Sequence, residues 1–336
     1  MAKAPTVYDV AEYAGVSIAT VSRVLRSPDA VKAETRERVL EAVAFLGYVP
    51  SANARGLAVR RTNVIGLFFP RHDDHEGGAL PFSTSAEVPV GTDDPEDDEN
   101  LYYDEVLRGA EAEAARRGFA LMVASGADDV LSDLAGRVDG LAVLAGTVPE
   151  HLLAHVGRRI PVVILGGRDD EFDHVSANNA PGMRELARHV AAQATTIAYV
   201  RGAPGPDDAE RFAGFSEAAS ATVYRGDFTR RSGRLIASGL DELPDAIMCA
   251  NDQMALGVLD VLESRGIRVP DDVRVTGFDG IAAGRHSRPS LTTVHQPMAE
   301  LGRAAVQVIT ARLADPGLEK QSLTLAVRVV LRESCP

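Results

Sequence analysis

The stretch TVYDVAEYAGVSIATVSRVL, residues 6–25, decides the fold of the N-terminal part of the chain. Thr6 followed by Asp9 resembles a capping box, and apolar residues then recur at helical spacing up to Gly15. Gly15 is expected to end this helix, and Ser17 is a suitable N-cap for a second one. Two short helices joined by a glycine-containing turn indicate a helix-turn-helix.

A third helix is expected over residues 33–46, before Gly47, because apolar residues again recur at helical spacing. Its inward positions are predicted to be Val39, Leu40, Val43 and Leu46. Together the three helices predict a small all-α module.

The second helix of a helix-turn-helix is the one that enters the major groove of DNA. Arg23 on this helix can read guanine through two hydrogen bonds, which discriminate by about 1–3 kcal/mol. Ile18 can touch a thymine methyl group, and Thr20 and Ser22 can bond phosphates. The alternative is a small helical bundle that merely exposes an isoleucine and an arginine.

This stretch, with AETRERVLEAVAFLGYVPSANARGLAVRRTNVIGL at 33–67, resembles the lac repressor family of bacterial regulators. The resemblance is close over residues 6–66 and continues to the C-terminus. It implies that residues 17–23 form the recognition region. The candidate DNA-binding residues of the module are Thr6, Tyr8, Ser17, Ile18, Ala19, Thr20, Ser22 and Arg23.

Residues 51–59, SANARGLAV, are too short to form a stable isolated helix, and Gly56 weakens the segment further. The resemblance implies a hinge helix that orders on DNA and pairs with its copy across a dimer axis. Leu57 would then wedge into the minor groove and kink the duplex, with Ala54 beside it. The alternative is a plain linker with one exposed leucine.

The 336 residues carry a formal charge of −13, which argues against a nonspecific nucleic-acid coat or a polybasic membrane anchor. The charge is uneven: residues 1–61 are net positive, whereas residues 72–100 hold ten acidic side chains and no lysine or arginine. Neither a signal peptide nor a long apolar run is present, so a cytoplasmic protein without membrane contact is expected. Cys249 and Cys335 lack CxxC spacing, and neither a metal nor a cofactor is expected.

From Thr62 onward, short apolar runs alternate with helical patterns, which predicts parallel sheets with helices on both faces. The predicted strands are 64–69, 120–124, 140–144, 162–165, 197–200, 246–249 and 273–278. The predicted helices are 103–117, 181–193, 210–219, 252–265 and 298–313. The fold class is thus α/β, a helix-turn-helix headpiece followed by a two-lobed body. The resemblance implies that this body is an effector domain like the periplasmic sugar-binding proteins.

In open α/β sheets, ligands bind beyond the carboxyl ends of the strands. Arg211, Asn251 and Asp279 lie at such places, although an N-cap and surface charges would explain them equally well. The motifs ERFAGF, CANDQMALG and VTGFD resemble family motifs, which implies that these three side chains contact the effector. An Arg–Asp pair with an asparagine suits the vicinal hydroxyls of a sugar.

NLYYDEVLRGAE, residues 100–111, resembles a family segment and implies that Tyr102 and Tyr103 stack on the effector. One of them can equally be ordinary core. The chain departs from the family at PVVILGGR, where Gly167 stands at an arginine position and Arg168, also a candidate, follows it. A second departure places Asn178 at an aspartate position.

The acidic residues 72–99 form an insertion that is expected to be a disordered surface loop. A lid near the cleft mouth and a weak cation site are the alternatives.

The predicted domains are residues 1–48, a hinge at 49–61 and a body at 62–336. The N-lobe is expected at about 62–174 and 298–325, and the C-lobe at about 175–297 and 326–336.

The predicted function is a homodimeric repressor of a palindromic operator, controlled by a small molecule, in the first instance a sugar. The alternatives are a non-sugar effector, a cleft that no longer binds ligand, and a sugar-transport protein. An enzyme is not expected, since no P-loop, GxSxG or zinc motif is present.

Overall fold

A computed structural model of the protein describes residues 5–48, 61–69 and 101–336. The hinge candidates Ala54 and Leu57 and the acidic insertion lie outside the described residues. The chain divides into two compact units, Met1–Thr62 and Asn63–Pro336, here called the headpiece and the body.

Over residues 5–48 the headpiece contains three α-helices, α1 (Val7–Ala14), α2 (Ile18–Arg26) and α3 (Ala33–Leu46). Thr6 caps α1 in a reciprocal capping box, in which its hydroxyl accepts from the Asp9 amide and the Asp9 carboxylate accepts from the Thr6 amide. Gly15 then ends α1 at φ 62°, a conformation that glycine adopts without strain.

The headpiece core is small and aliphatic, and the helices contribute to it Val10, Ala11, Ala14, Val21, Val24, Val39 and Ala42. The prediction that Leu40 points inward is wrong, because its side chain is 47% exposed. Val39 is the residue of that pair that faces the core, since consecutive helix positions lie 100° apart.

The described residues of the body form two six-stranded sheets, and the predicted two-lobed α/β fold is confirmed. The first lobe has the strand order β11-β5-β4-β3-β1-β2, with β1 (Val64–Phe69), β2 (Ala120–Ser125), β3 (Gly140–Leu144), β4 (Val162–Leu165), β5 (Asp173–Ala177) and β11 (Ser322–Leu325). The second has the order β12-β10-β9-β8-β6-β7, with β6 (Ile197–Arg201), β7 (Thr222–Arg225), β8 (Ala246–Cys249), β9 (Arg274–Asp279), β10 (Thr292–His295) and β12 (Arg328–Val330).

All strand pairs are parallel except β10 with β12, so helices connect the strands across both sheet faces. The helices of the body are α4 (Leu101–Arg116), α5 (Asp128–Ala135), α6 (Glu150–Gly157), α7 (Asn179–Ala191), α8 (Pro206–Ser216), α9 (Arg230–Ser238), α10 (Asp252–Ser264), α11 (Ala282–His286) and α12 (Met298–Ala314).

The chain passes between the two sheets three times, at residues 178, 296–297 and 326–327. The first and third passages are bonded to each other, because the Asn178 amide donates to the Leu325 carbonyl at 2.9 Å. Because β4 is parallel to β5, and β8 and β9 are parallel to β10, the carboxyl ends of β4, β8 and β9 lie at the same sheet edges as these passages.

Candidate DNA-binding surface and effector site

Four of the predicted DNA-binding residues on α2 and its N-cap are exposed, whereas Thr20 and Ser22 are half-buried. Ser17, Ile18, Ala19 and Arg23 are exposed, whereas Val21 and Val24 on the opposite face are buried. The helix thus packs on the headpiece core through Val21 and Val24. Its opposite face, which carries both polar and apolar side chains, is accessible to a DNA groove.

Capping restricts several of the polar candidates. The Ser17 hydroxyl accepts from the Thr20 amide at 3.2 Å and lies 2.9 Å from the Thr20 hydroxyl. The Thr6 hydroxyl donates to Asp9 at 2.7 Å, while the neighbouring Tyr8 is 68% exposed. Arg23 and Tyr8 are both exposed candidates on the headpiece.

In the body, a buried ion pair lies at the carboxyl ends of β8 and β9. Nη1 of Arg211, on α8, lies 3.2 Å from Oδ1 of Asp279, and each side chain is only 4% exposed. The same Nη1 donates to the Ala250 carbonyl at 2.7 Å. The guanidinium also stacks 4.0 Å from the centre of the Phe278 ring, which fixes its plane.

Two amide side chains that were not predicted from the sequence complete this cluster. Oδ1 of Asn179 accepts from Nε of Arg211 at 3.1 Å. Nε2 of Gln296 donates to Oδ1 of Asp279 at 2.7 Å. Both amides are 1% exposed, so each end of the ion pair is held by a buried polar group.

Asn179 also connects the ion pair to an acidic rim. Its Nδ2 donates to Oδ1 of Asp207 at 2.8 Å and to Oε2 of Glu210 at 3.3 Å. Asp207 and Glu210 both lie on α8, on the side of the helix that carries Arg211. The site therefore contains more carboxylates than cations, which favours ligands rich in hydrogen-bond donors.

Asp279 has a backbone conformation that is uncommon for a residue with a side chain, with φ at 116°. The turn after it is held by Asp252, whose Oδ2 accepts from the amides of Gly280 and Ile281 at 2.7 and 2.9 Å. Burial raises the pKa of both Asp252 and Asp279 above the ordinary carboxyl range, and Arg211 opposes the rise at Asp279.

Tyr102 and Tyr103, at the start of α4, bring the first lobe to this site. Tyr103 stacks on Phe69 at the end of β1, with ring centres 4.6 Å apart. Burial raises the pKa of both tyrosines, and the nearby carboxylates of Asp207 and Asp279 raise it further. Tyr103 thus serves both as packing and as part of the cleft wall.

Asn251 and Arg168 play different parts from Arg211 and Asp279. Asn251 caps α10, since its Oδ1 accepts from the Met254 amide at 3.0 Å and its Nδ2 donates to the Phe228 carbonyl at 2.9 Å. Arg168 is 75% exposed, and its Nε lies 3.9 Å from Oε1 of Glu210. The structure thus brings Arg211 and Asp279 together, uses the Asn251 side chain to cap α10 and leaves Arg168 exposed.

No group of three or more His, Cys, Asp or Glu side chains in residues 5–48, 61–69 and 101–336 is placed to hold a metal ion. Over the same residues, the helices are too short or too polar to cross a lipid bilayer.

A helix-turn-helix headpiece joined to a two-lobed ligand-binding body defines a ligand-responsive DNA-binding regulator. Two family models match the chain: bacterial regulatory proteins of the lacI family over residues 6–51, and the periplasmic binding protein-like domain over residues 186–335. The HTH-type transcriptional repressor PurR of Vibrio parahaemolyticus is 31% identical over 353 residues, covering 98% of each chain. The protein therefore belongs to the lacI family of bacterial regulators.

Solved structures agree with this assignment. The lac repressor dimer bound to operator and the anti-inducer ONPF matches with a TM-score of 0.78 and 26% identity, over 99% of each chain. A complex of the transcriptional regulator CelR with cellobiose matches with a TM-score of 0.67 and 29% identity, over 98% of this chain and 99% of that one. The predictions of a DNA-binding transcriptional repressor and of a non-enzyme are confirmed.

Proposed function

We propose that the protein is a homodimeric repressor of a palindromic operator whose affinity for that operator changes when a small polar molecule binds the cleft. A sugar is the first class of effector to consider, and a non-sugar metabolite is the second. The observation that carries the proposal is the buried Arg211–Asp279 pair at the carboxyl ends of the strands, next to the half-buried carboxylates of Asp207 and Glu210.

The chemistry of this cluster suits a polyhydroxyl ligand. The carboxylates of Asp207, Glu210 and Asp279 can accept hydrogen bonds from the hydroxyl groups of such a ligand. The Arg211 guanidinium can donate hydrogen bonds to the hydroxyl oxygens of the ligand. A ligand that lacks the matching hydroxyl would leave buried polar groups unpaired, so discrimination should be strong. The cellobiose bound by the relative CelR belongs to this chemical class.

Two site residues link the ion pair to the passages between the lobes. Asn179, the first residue of α7, directly follows the passage at residue 178, and Gln296 lies in the second passage. A ligand that rearranges Arg211 and Asp279 must also change their bonds to these two amides. Because a ligand shifts an equilibrium only through different affinities for two states, these bonds are a direct route from cleft to lobe arrangement.

The DNA-binding part is tested by selecting the operator from a random duplex library with the full-length protein and measuring its affinity by gel shift. Arg23→Ala should weaken binding of the selected operator by about ten- to a hundredfold, because a bidentate base contact is lost. Arg38→Ala is the matched control, since it removes the same charge from α3. Equal losses in the two variants would refute the recognition-helix assignment.

The effector part is tested by thermal-shift measurements with a panel of sugars, including cellobiose and ribose, and of nucleobases. Each compound that raises the melting temperature is then added to the gel shift with the selected operator. An effector should stabilise the wild type and change operator affinity, and do neither to Asp279→Ala. Stabilisation by nucleobases alone would replace the sugar assignment with the second class.

The homodimer and the hinge helix around Leu57 stay predictions. Sedimentation of the protein with and without the selected operator measures its oligomeric state. Leu57→Ala should weaken operator binding if the leucine wedges into the minor groove, because the kink would lose its apolar support. Unchanged affinity would favour the plain linker.

A further inference from the structure

The Gly166–Gly167 pair distinguishes this chain from the family pattern and lies at the end of β4 in the first lobe. Both glycines are buried and adopt positive φ, 70° and 73°. A Cβ placed on Gly167 would be 2.6 Å from Cβ of Pro206, and one placed on Gly166 would be 2.9 Å from Oδ2 of Asp207. Pro206 and Asp207 begin α8 in the second lobe, so no side chain fits between the lobes here.

Further atoms extend this contact along the first turn of α8. A Cβ on Gly146, after β3, would lie 3.3 Å from Cδ of Pro206. Arg168 and Glu210 approach within 3.9 Å across the same gap. The second-lobe side of the contact belongs to the helix that carries Arg211, so movement of this turn reaches the buried ion pair.

We propose that Gly166–Gly167 and the first turn of α8 form a closure contact, in which protein atoms of both lobes hold the cleft shut. The family resemblance implies an arginine at position 167. Glycine stands there instead, so the backbone carries no side chain and Pro206 lies against it. The closure contact goes beyond the proposed function and requires no assumption about operator or effector.

The contact predicts that cysteines placed on its two sides will cross-link. A disulfide needs Cβ atoms about 3.5–4.5 Å apart, which a small relaxation of the 2.6 Å approach provides. The full-length Gly167→Cys/Pro206→Cys variant should therefore oxidise under mild diamide, as measured by non-reducing peptide mapping. Native Cys249 and Cys335 are both buried and should stay reduced.

A pair within the first lobe serves as the matched control. Cβ of Ala145 lies 3.3 Å from the Cβ position of Gly167, so Ala145→Cys/Gly167→Cys should cross-link whatever the lobes do. Cross-linking of both pairs supports the closure contact. Cross-linking of the control pair alone shows that position 167 is reactive while the lobes stay apart, and overturns the proposal.

If cysteine at the positive-φ position 167 prevents folding, alanine variants and hydrogen exchange decide the question. Gly167→Ala and Gly118→Ala carry the same backbone strain, at φ 73° and 78°, but a side chain at position 118 meets nothing within 4 Å. The Ala209 amide, which donates to the Gly205 carbonyl at 3.0 Å at the start of α8, should exchange about tenfold faster in Gly167→Ala only, because local opening becomes easier. Equal exchange in both variants overturns the proposal.

Discussion

Replacing Arg211 with methionine should destabilise the body strongly, since it leaves a carboxylate buried without its counter-charge. Arg211 and Asp279 are each 4% exposed, and breaking such a pair from one side costs about 3–5 kcal/mol. The carbonyl of Ala250 and Oδ1 of Asn179 also lose their donor, which keeps the expected loss near the upper end of that range. Urea unfolding of wild type and variant measures the difference.

The pH dependence gives this prediction a second readout. Burial already raises the pKa of Asp279 above its ordinary range while Arg211 opposes the rise, so Arg211→Met should raise it further. A carboxyl with a raised folded-state pKa gains stability below that pKa and loses it as the pH rises. The destabilisation by Arg211→Met should therefore be smaller at pH 5 than at pH 8.

Arg137→Met is the control for loss of an arginine from a surface pair, because Arg137 and Asp133 are 61% and 64% exposed. Its effect should stay between about 0 and 1 kcal/mol. If Arg211→Met costs no more than this control, or costs the same at both pH values, the ion pair does not organise the site and the reasoning fails.

Three further outcomes follow from the same structure. Asp279→Ala should leave operator binding intact and remove the response to the effector, as a gel shift with and without effector shows. Gln296→Leu removes the hydrogen bond to Asp279 and should weaken that response by at least about threefold while retaining effector binding. Mutations between two coupled sites typically change the coupling free energy by about 0.5–2 kcal/mol. The Arg116 hydrogen bond lowers the pKa of Glu113 to about 2 despite burial, and Arg117 adds to this, so Glu113→Gln should reduce stability at neutral pH. A lowered carboxyl pKa contributes its full stabilisation above the ordinary value of 4.5 and loses it as the pH falls to about 2. Urea unfolding should therefore show the stability difference between wild type and Glu113→Gln disappearing between pH 4.5 and 2.

Apolar strands could be read from the sequence, whereas polar ones could not. The runs at 64–69, 140–144, 162–165 and 246–249 coincide with β1, β3, β4 and β8, because continuous apolar residues there have no alternative to burial. Five strands were missed: β5, β7, β10, β11 and β12. β5 has the polar sequence DHVSA, yet all of its residues are buried. Burial of Asp173 is possible because Arg312, which lies 139 residues further along the chain on α12, donates to its carboxylate at 2.8 and 3.1 Å.

The same limit applies to the site. Asp279 ends an apolar strand, so its place at the strand end was predictable. Arg211 was expected at the start of a helix, but α8 begins at Pro206 and Arg211 lies in its second turn. Gln296 forms its decisive bond with a residue on another strand end, and nothing in its neighbouring sequence indicates that partner. Only the sheet topology could have predicted this contact, because the second passage between the lobes brings Gln296 beside the end of β9.

The two departures from the family pattern now differ in weight. Asn178 is half-buried at the end of the first passage, where its backbone bonds Leu325, and the side chain that holds Arg211 belongs to the next residue, Asn179. A change at 178 thus leaves the ion pair intact. Gly167, by contrast, leaves no side chain between the lobes at this position, where a Cβ would overlap Pro206. The identity of the effector should therefore depend more on the glycine pair than on the asparagine.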